Sequence, residues 1–171
     1  MKKNKMASLK QMAGVSMLEV LVAILILSMA ALANAGLQIA GMRLNASSKL
    51  RSIAIAQVSD MVDRMRSNRG ALPTYAATSG IPSDPGCTTA ATPCTAEDMA
   101  KHDMFEWNTA NSQLLPGGVG MVCLDNTANP QSKTYATACS NTGSSYSVKL
   151  QWDDTHGNGT ATQFFVINFQ P

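Results

Sequence analysis

Val15 to Ala33 is apolar apart from Ser16, Glu19 and Ser28, and the run extends to Gly36 or Leu37 before polar residues return. About 20 helical residues cross a hydrocarbon core of ~30 Å, so this segment is long enough to span a membrane. From Leu37 to Arg69 there is no proline, and Gly41 is the only glycine. Leu37, Ala40, Leu44, Ser47, Leu50, Ala54, Val58, Met61 and Met65 recur there at steps of three or four, which places them on one helical stripe. Arg43, Lys49, Asp60, Asp63 and Arg64 fall mostly off it. Asn68-Arg69-Gly70 and then Pro73 supply stop signals. The pattern predicts one helix from Val15 to about Arg69, ~80 Å long, of which about 15–36 is membrane-spanning and 37–69 amphipathic, packing one side onto a domain.

Residues 70–95 are rich in Ala, Thr, Ser, Pro and Gly and read as loop. Thr95-Ala96-Glu97-Asp98 reads as an N-cap followed by acids in a first turn. It opens a second helix to about Leu115, stopped by Pro116-Gly117-Gly118, with Met99, Trp107, Ala110 and Leu114 as packing residues. Val119 to Leu124 is a short apolar stretch, Tyr146 to Trp152 alternates with its large residues on one face, and Phe164 to Phe169 is dense in β-formers. Asp153 to Gly159 reads as the turn between the last two. The expected fold is α+β, a lollipop whose long amino-terminal helix packs on a small antiparallel sheet in a globular domain over 70–171.

Charge sharpens this division. The chain of 171 residues carries 13 Lys+Arg against 11 Asp+Glu, a formal net charge of +2. Lys2, Lys3, Lys5 and Lys10 lie before Val15 with no acid among them, so the remainder is net negative. A polyanion-binding surface, and with it direct nucleic-acid binding, is not expected. The four lysines instead orient the apolar helix with its amino end in the cytoplasm and everything downstream across the membrane.

Cys87, Cys94, Cys123 and Cys139 all follow the apolar run. An even count in an oxidising compartment reads as two disulfides. Three connectivities are open; Cys87 with Cys94 and Cys123 with Cys139 is favoured, because each pair closes one local loop. The spacing is not that of a zinc knuckle. His102 and His156 read as solvated surface residues, and Asp153, Asp154 and Asn158 as a hairpin turn more than a calcium loop. No catalytic motif is present, so neither an enzyme nor a cofactor is expected.

The amino-terminal segment supports two readings. In one it is a secretory signal peptide cut after Ala33-Asn34-Ala35, releasing a soluble periplasmic binding protein or enzyme that begins at Gly36. Glu19 opposes this, because a carboxylate within an apolar core costs ~2.5 kcal/mol or more when central. In the other, Gly14-Val15-Ser16-Met17-Leu18-Glu19 is one unit, and it resembles the prepilin leader of type IV pilins and type II secretion pseudopilins. That resemblance implies cleavage after Gly14 by a prepilin peptidase and methylation of the new terminus at Val15, which departs from the usual phenylalanine. It also implies that Glu19 attracts the terminal amine of a neighbouring subunit during assembly, and that the apolar helix is retained.

Further segments resemble the minor pilin group known as type IV pilus modification protein PilV. They are Val20-Leu21-Val22-Ala23, Asp60-Met61-Val62-Asp63-Arg64-Met65-Arg66-Ser67-Asn68, Leu115-Pro116-Gly117-Gly118-Val119-Gly120 and Val148-Lys149-Leu150-Gln151-Trp152-Asp153. A minor pseudopilin of a type II secretion system is the alternative. The resemblance implies a low-abundance structural subunit that primes or modifies pilus assembly, with effects on adhesion, twitching motility or DNA uptake. Its implied partners are other minor and major pilins, the prepilin peptidase and inner-membrane assembly proteins. Its implied location is the bacterial inner membrane, single-pass with the carboxy-terminal domain in the periplasm, and then the pilus.

Overall fold

A computed structural model describes residues 16–78, 80–89, 91–125, 139–155 and 162–170. Helix α1 runs unbroken over Met17–Ser67, a length of about 77 Å at 1.5 Å per residue. A single 3-10 turn follows at Arg69–Ala71, then α2 at Leu72–Ala77 and α3 at Ala96–Leu114. The sheet comprises β1 (Val119–Leu124), β2 (Tyr146–Asp153) and β3 (Thr162–Phe169). The chain divides into two compact units, Met1–Asn45 and Ala46–Pro171.

In the first unit, α1 is exposed on every side: Leu18, Leu21, Ile24, Leu27, Leu32 and Leu37 all face outward. The Ser28 hydroxyl donates to the Leu25 carbonyl at 2.7 Å. This internal bond satisfies a polar group that an apolar medium would otherwise leave unpaired. Gly36 and Gly41 lie within regular helix.

The second unit holds the core. From α1 it takes Leu50, Ala54, Val58, Met61, Val62 and Met65, a stripe at three- and four-residue steps. Leu37 and Leu44 lie on the same sequence pattern but are exposed, so the buried part of the stripe begins at Leu50. Tyr75, Met104, Trp107, Val122, Val148 and Leu150 complete the centre.

The strands form an antiparallel meander in the order β1-β2-β3, with Gly120 opposite Leu150 and Val148 opposite Ile167. Tyr146, Val148, Leu150 and Trp152 are buried on one face of β2, as their alternation predicts. Ser147 and Lys149, on the other face, are buried as well. Both find polar partners: the Ser147 hydroxyl donates to Asn168 Oδ1 at 2.8 Å, and Lys149 Nζ donates to Asp125 Oδ2 at 2.8 Å.

Two expectations are corrected. The stretch after Arg69 is not all loop, because Pro73 occupies the first turn of α2, where the missing N–H has no intrahelical partner to lose. The inward face of α3 is Ala100, Asp103, Met104, Trp107, Asn108 and Asn111, whereas Met99 and Leu114 are partly exposed. Of the polar residues on this face, Asn108 is bonded through both ends of its amide: Oδ1 accepts from the Gly120 N–H at 2.7 Å and the NH2 donates to the Gly80 carbonyl at 2.8 Å, whereas the Asn111 side chain is buried with no hydrogen-bond partner among the described residues. Gly120 also admits the Trp107 ring, since a Cβ there would lie 2.1 Å from Cζ3. The indole N–H in turn donates to the Gln57 carbonyl of α1 at 2.7 Å.

Candidate functional site

The first candidate is the start of α1. Ser16 precedes the helix and its carbonyl accepts from the N–H groups of Glu19 and Val20 at 2.9 and 3.2 Å. Ser16 thus stands at the N-cap and Glu19 at the third helical position, the spacing of a capping box that the sequence displays but periodicity does not reveal. An acid in the first turn is favoured by the amide dipoles there. The Glu19 side chain is exposed, and among the described residues no hydrogen bond or ion pair holds its carboxylate. Gly14 and Val15 lie outside the described residues.

Downstream of Glu19, residues 20–42 contain no charged side chain, and the next charge is Arg43. Residues 17–67 form one helix long and apolar enough to cross a membrane, its most apolar stretch wholly exposed. Such a surface is suited to lipid or to other helices of the same kind.

The second candidate lies in the carboxy-terminal unit, where three helices and a loop bring charges together. Arg64 of α1 donates through Nε to Asp60 Oδ2 at 2.9 Å and through Nη1 to Asp103 Oδ1 at 3.0 Å and Glu106 Oε2 at 2.9 Å. Tyr75 of α2 donates its hydroxyl to the other Asp103 oxygen. His102 is not a solvated surface residue as its isolation in sequence suggested. Its side chain is only 12% exposed, with Nδ1 at 2.8 Å from Asp84 Oδ1 and Nε2 at 3.3 Å from Glu106 Oε1.

An imidazole with a carboxylate at each nitrogen is best served by two N–H donors, hence by the protonated ring. Hydrogen bonding to Asp84 accordingly raises the His102 pKa, against the opposing effect of burial. Asp84 is held below the usual carboxylate range by the Gly86 N–H and then by His102. Arg64 does the same for Glu106. Burial, followed by the bond to Asp103, pushes Tyr75 upward. The cluster ties α1, α2, α3 and the 80–89 loop together and offers no unshared nucleophile or base.

The cysteines form two disulfides, Cys87–Cys94 and Cys123–Cys139. The first closes a loop just beyond Asp84; the second adjoins Asp125, which pairs with Lys149. Asp153 Oδ1 accepts from the N–H and hydroxyl of Thr155 at 2.7 and 2.6 Å, and Asp154 Oδ2 accepts from Ser47 at 2.8 Å. His156 and Asn158 lie outside the described residues. Among the described residues no group of three His, Cys, Asp or Glu side chains could hold a metal ion.

The arrangement is therefore an apolar helix with one exposed carboxylate, followed by a cross-linked α+β unit. Residues 36–105 match a family model, Tt1218-like, described as Type IV pilin Tt1218. This supports a pilin-like family for the chain. The match covers less than half of the chain; it starts after Glu19 and takes in the buried stripe of α1, α2, the Cys87–Cys94 loop and the first half of α3. Among curated proteins and solved structures, none matches. Pilins are structural subunits, not enzymes, and a pilin-like subunit is suited to assembly with other pilins.

Proposed function

We propose that the chain is a minor pilin of a type IV pilus, a subunit that helps to initiate or modify pilus assembly and so affects adhesion, twitching motility or DNA uptake. The observation that carries this reading is the exposed, apolar start of α1 with Glu19 as the only charge before Arg43. On this reading a prepilin peptidase cuts after Gly14, Val15 becomes the mature terminus and is methylated, and residues 15–36 cross the inner membrane with the carboxy-terminal unit in the periplasm.

Helix packing would then be the mechanism. A lipid tail is as apolar as leucine, so leaving the bilayer for a bundle of helices gains little from the hydrophobic effect, and close packing and polar pairing must supply the drive. An unpaired carboxylate at the edge of the hydrocarbon is costly, and the terminal amine of a neighbouring subunit relieves it. The partners would be other minor and major pilins and inner-membrane assembly proteins.

Mass spectrometry of the amino-terminal peptide tests this. A mature chain beginning at Val15 is expected. A start at Gly36 would sink the reading, since a signal peptide removed there takes Glu19 with it. Intact Met1 would count against cleavage and leave an ordinary anchored protein.

A further inference from the structure

Between Ser16 and Ser48 the helix carries just two charged side chains, Glu19 and Arg43. Both are exposed, and among the described residues neither has an ion-pair partner. They bracket the uncharged residues 20–42, which extend about 34 Å as helix, close to the thickness of a hydrocarbon core. In a membrane each charge can therefore reach one of the two wet edges. In a bundle of parallel helices that option is gone.

Two such helices side by side at a small axial offset set Glu19 or Arg43 of one against the apolar run of the other. There Glu19 can meet the neighbour's terminal amine, but Arg43 is a charge in apolar surroundings without a partner, a costly arrangement. Glu19 and Arg43 are separated by about 36 Å along the axis, so an offset of that size removes this cost by placing the carboxylate of one helix level with the guanidinium of the next. The two residues also lie about 120° apart around the helix at 100° per residue. One helix thus presents its carboxylate to one neighbour and its guanidinium to another. Such a head-to-tail contact does not close on itself and propagates as a filament.

We infer that Arg43 is an assembly residue that pairs with a carboxylate near the amino end of a neighbouring pilin's apolar helix, displaced by about 36 Å. The pair rests on the subunit reading above and extends it. A carboxylate has two oxygens, so the group corresponding to Glu19 can accept from a terminal amine of one neighbour and from Arg43 of another. The bidentate guanidinium suits this role better than a more mobile ammonium would.

The experiment uses the full chain in pilus-producing cells, with filaments sheared off and separated from membranes. With Ala40, one turn from Arg43, replaced by p-benzoyl-phenylalanine, ultraviolet light is expected to cross-link this chain to a pilin peptide within two turns of that pilin's helix carboxylate. The product should occur in filaments and be absent from the membrane fraction. Arg43→Gln should lower incorporation about tenfold, Arg43→Lys should recover most of it, and Lys49→Gln and Arg51→Gln should stay within twofold of the unsubstituted chain. Cross-links to any other part of a neighbour, or Arg43→Gln entering filaments normally, would overturn the pair while leaving the subunit reading intact. Absence of the unsubstituted chain from filaments is a different result and would overturn the subunit reading itself.

Discussion

Arg64 Nη1 lies 3.0 Å from Asp103 Oδ1, which joins the last turns of α1 to the middle of α3. Asp103 is largely buried and also receives the Tyr75 hydroxyl, so the guanidinium neutralises a carboxylate that has little access to water. Arg64→Met is expected to destabilise the carboxy-terminal unit by roughly 3 kcal/mol, because it strands that charge. Arg64→Met combined with Asp103→Asn should recover part of the loss. Urea unfolding of the detergent-solubilised chain measures both. Additive effects of the two substitutions would show that the pair is not coupled.

His102 makes stability depend on pH. Its pKa is raised in the folded chain above the ordinary ~6.5, chiefly by Asp84, with Glu106, Asp103 and Arg64 also facing the cluster. Its contribution is therefore complete below about pH 6.5 and is lost as the pH rises through the raised value. Asp84 and Glu106 shift downward, so theirs is present above the ordinary carboxylate range and is lost as the pH falls through their lowered values. Thermal unfolding between pH 6 and 9 should show a declining Tm that flattens in His102→Gln. Parallel curves for the two proteins would refute the assignment.

Two pairs of glycines differ in what surrounds them. A Cβ at Gly120 would meet the Trp107 ring at 2.1 Å, and one at Gly118 would meet the Asn111 carbonyl at 2.2 Å. Gly120→Ala should cost about 3 kcal/mol or more, because neither ring nor strand can retreat within a packed core. Gly36→Ala and Gly41→Ala meet nothing within 4 Å and should each favour helix by about 1 kcal/mol. Circular dichroism and urea unfolding of the three variants separate these effects; a silent Gly120→Ala would contradict the packing described.

Glu19→Val should leave α1 helical and the amino-terminal cut unchanged, while lowering recovery in sheared filaments by about tenfold or more. Loss of the first-turn acid alone costs only about 0.3–1 kcal/mol of helix stability, which a helix of this length absorbs. Normal recovery would remove the role given to the carboxylate.

Local pattern was enough to find α1 by its stripe, β2 by its alternation, α3 by its Thr95 cap and Pro116-Gly117-Gly118 stop, and β1 and β3 by short runs of apolar or β-forming residues. It misled where one residue type serves two purposes. Pro73 after Asn68-Arg69-Gly70 signals a stop, yet proline also starts helices, and here it does both. Met99 and Leu114 look like core positions, but Asn108 and Asn111 take that side of α3, with Asn108 bonded to Gly120 and Gly80. Lys149 looks like the solvent face of β2, and Asp125, just past the end of β1, supplies a partner for its buried ammonium. The His102 cluster draws on α1, α2, α3 and the 80–89 loop, so no local window could contain it. At the start of α1 the position was the reverse: Glu19 stands out in sequence because a single acid interrupts an apolar run.

Both tryptophans of the chain, Trp107 and Trp152, are buried in the carboxy-terminal unit, and residues 16–45 contain neither. Indole emission therefore reports the state of that unit alone. Helices can associate, leave a bilayer or change neighbours without any tryptophan sensing it, so an unaltered spectrum during those events certifies that the folded unit is carried along intact.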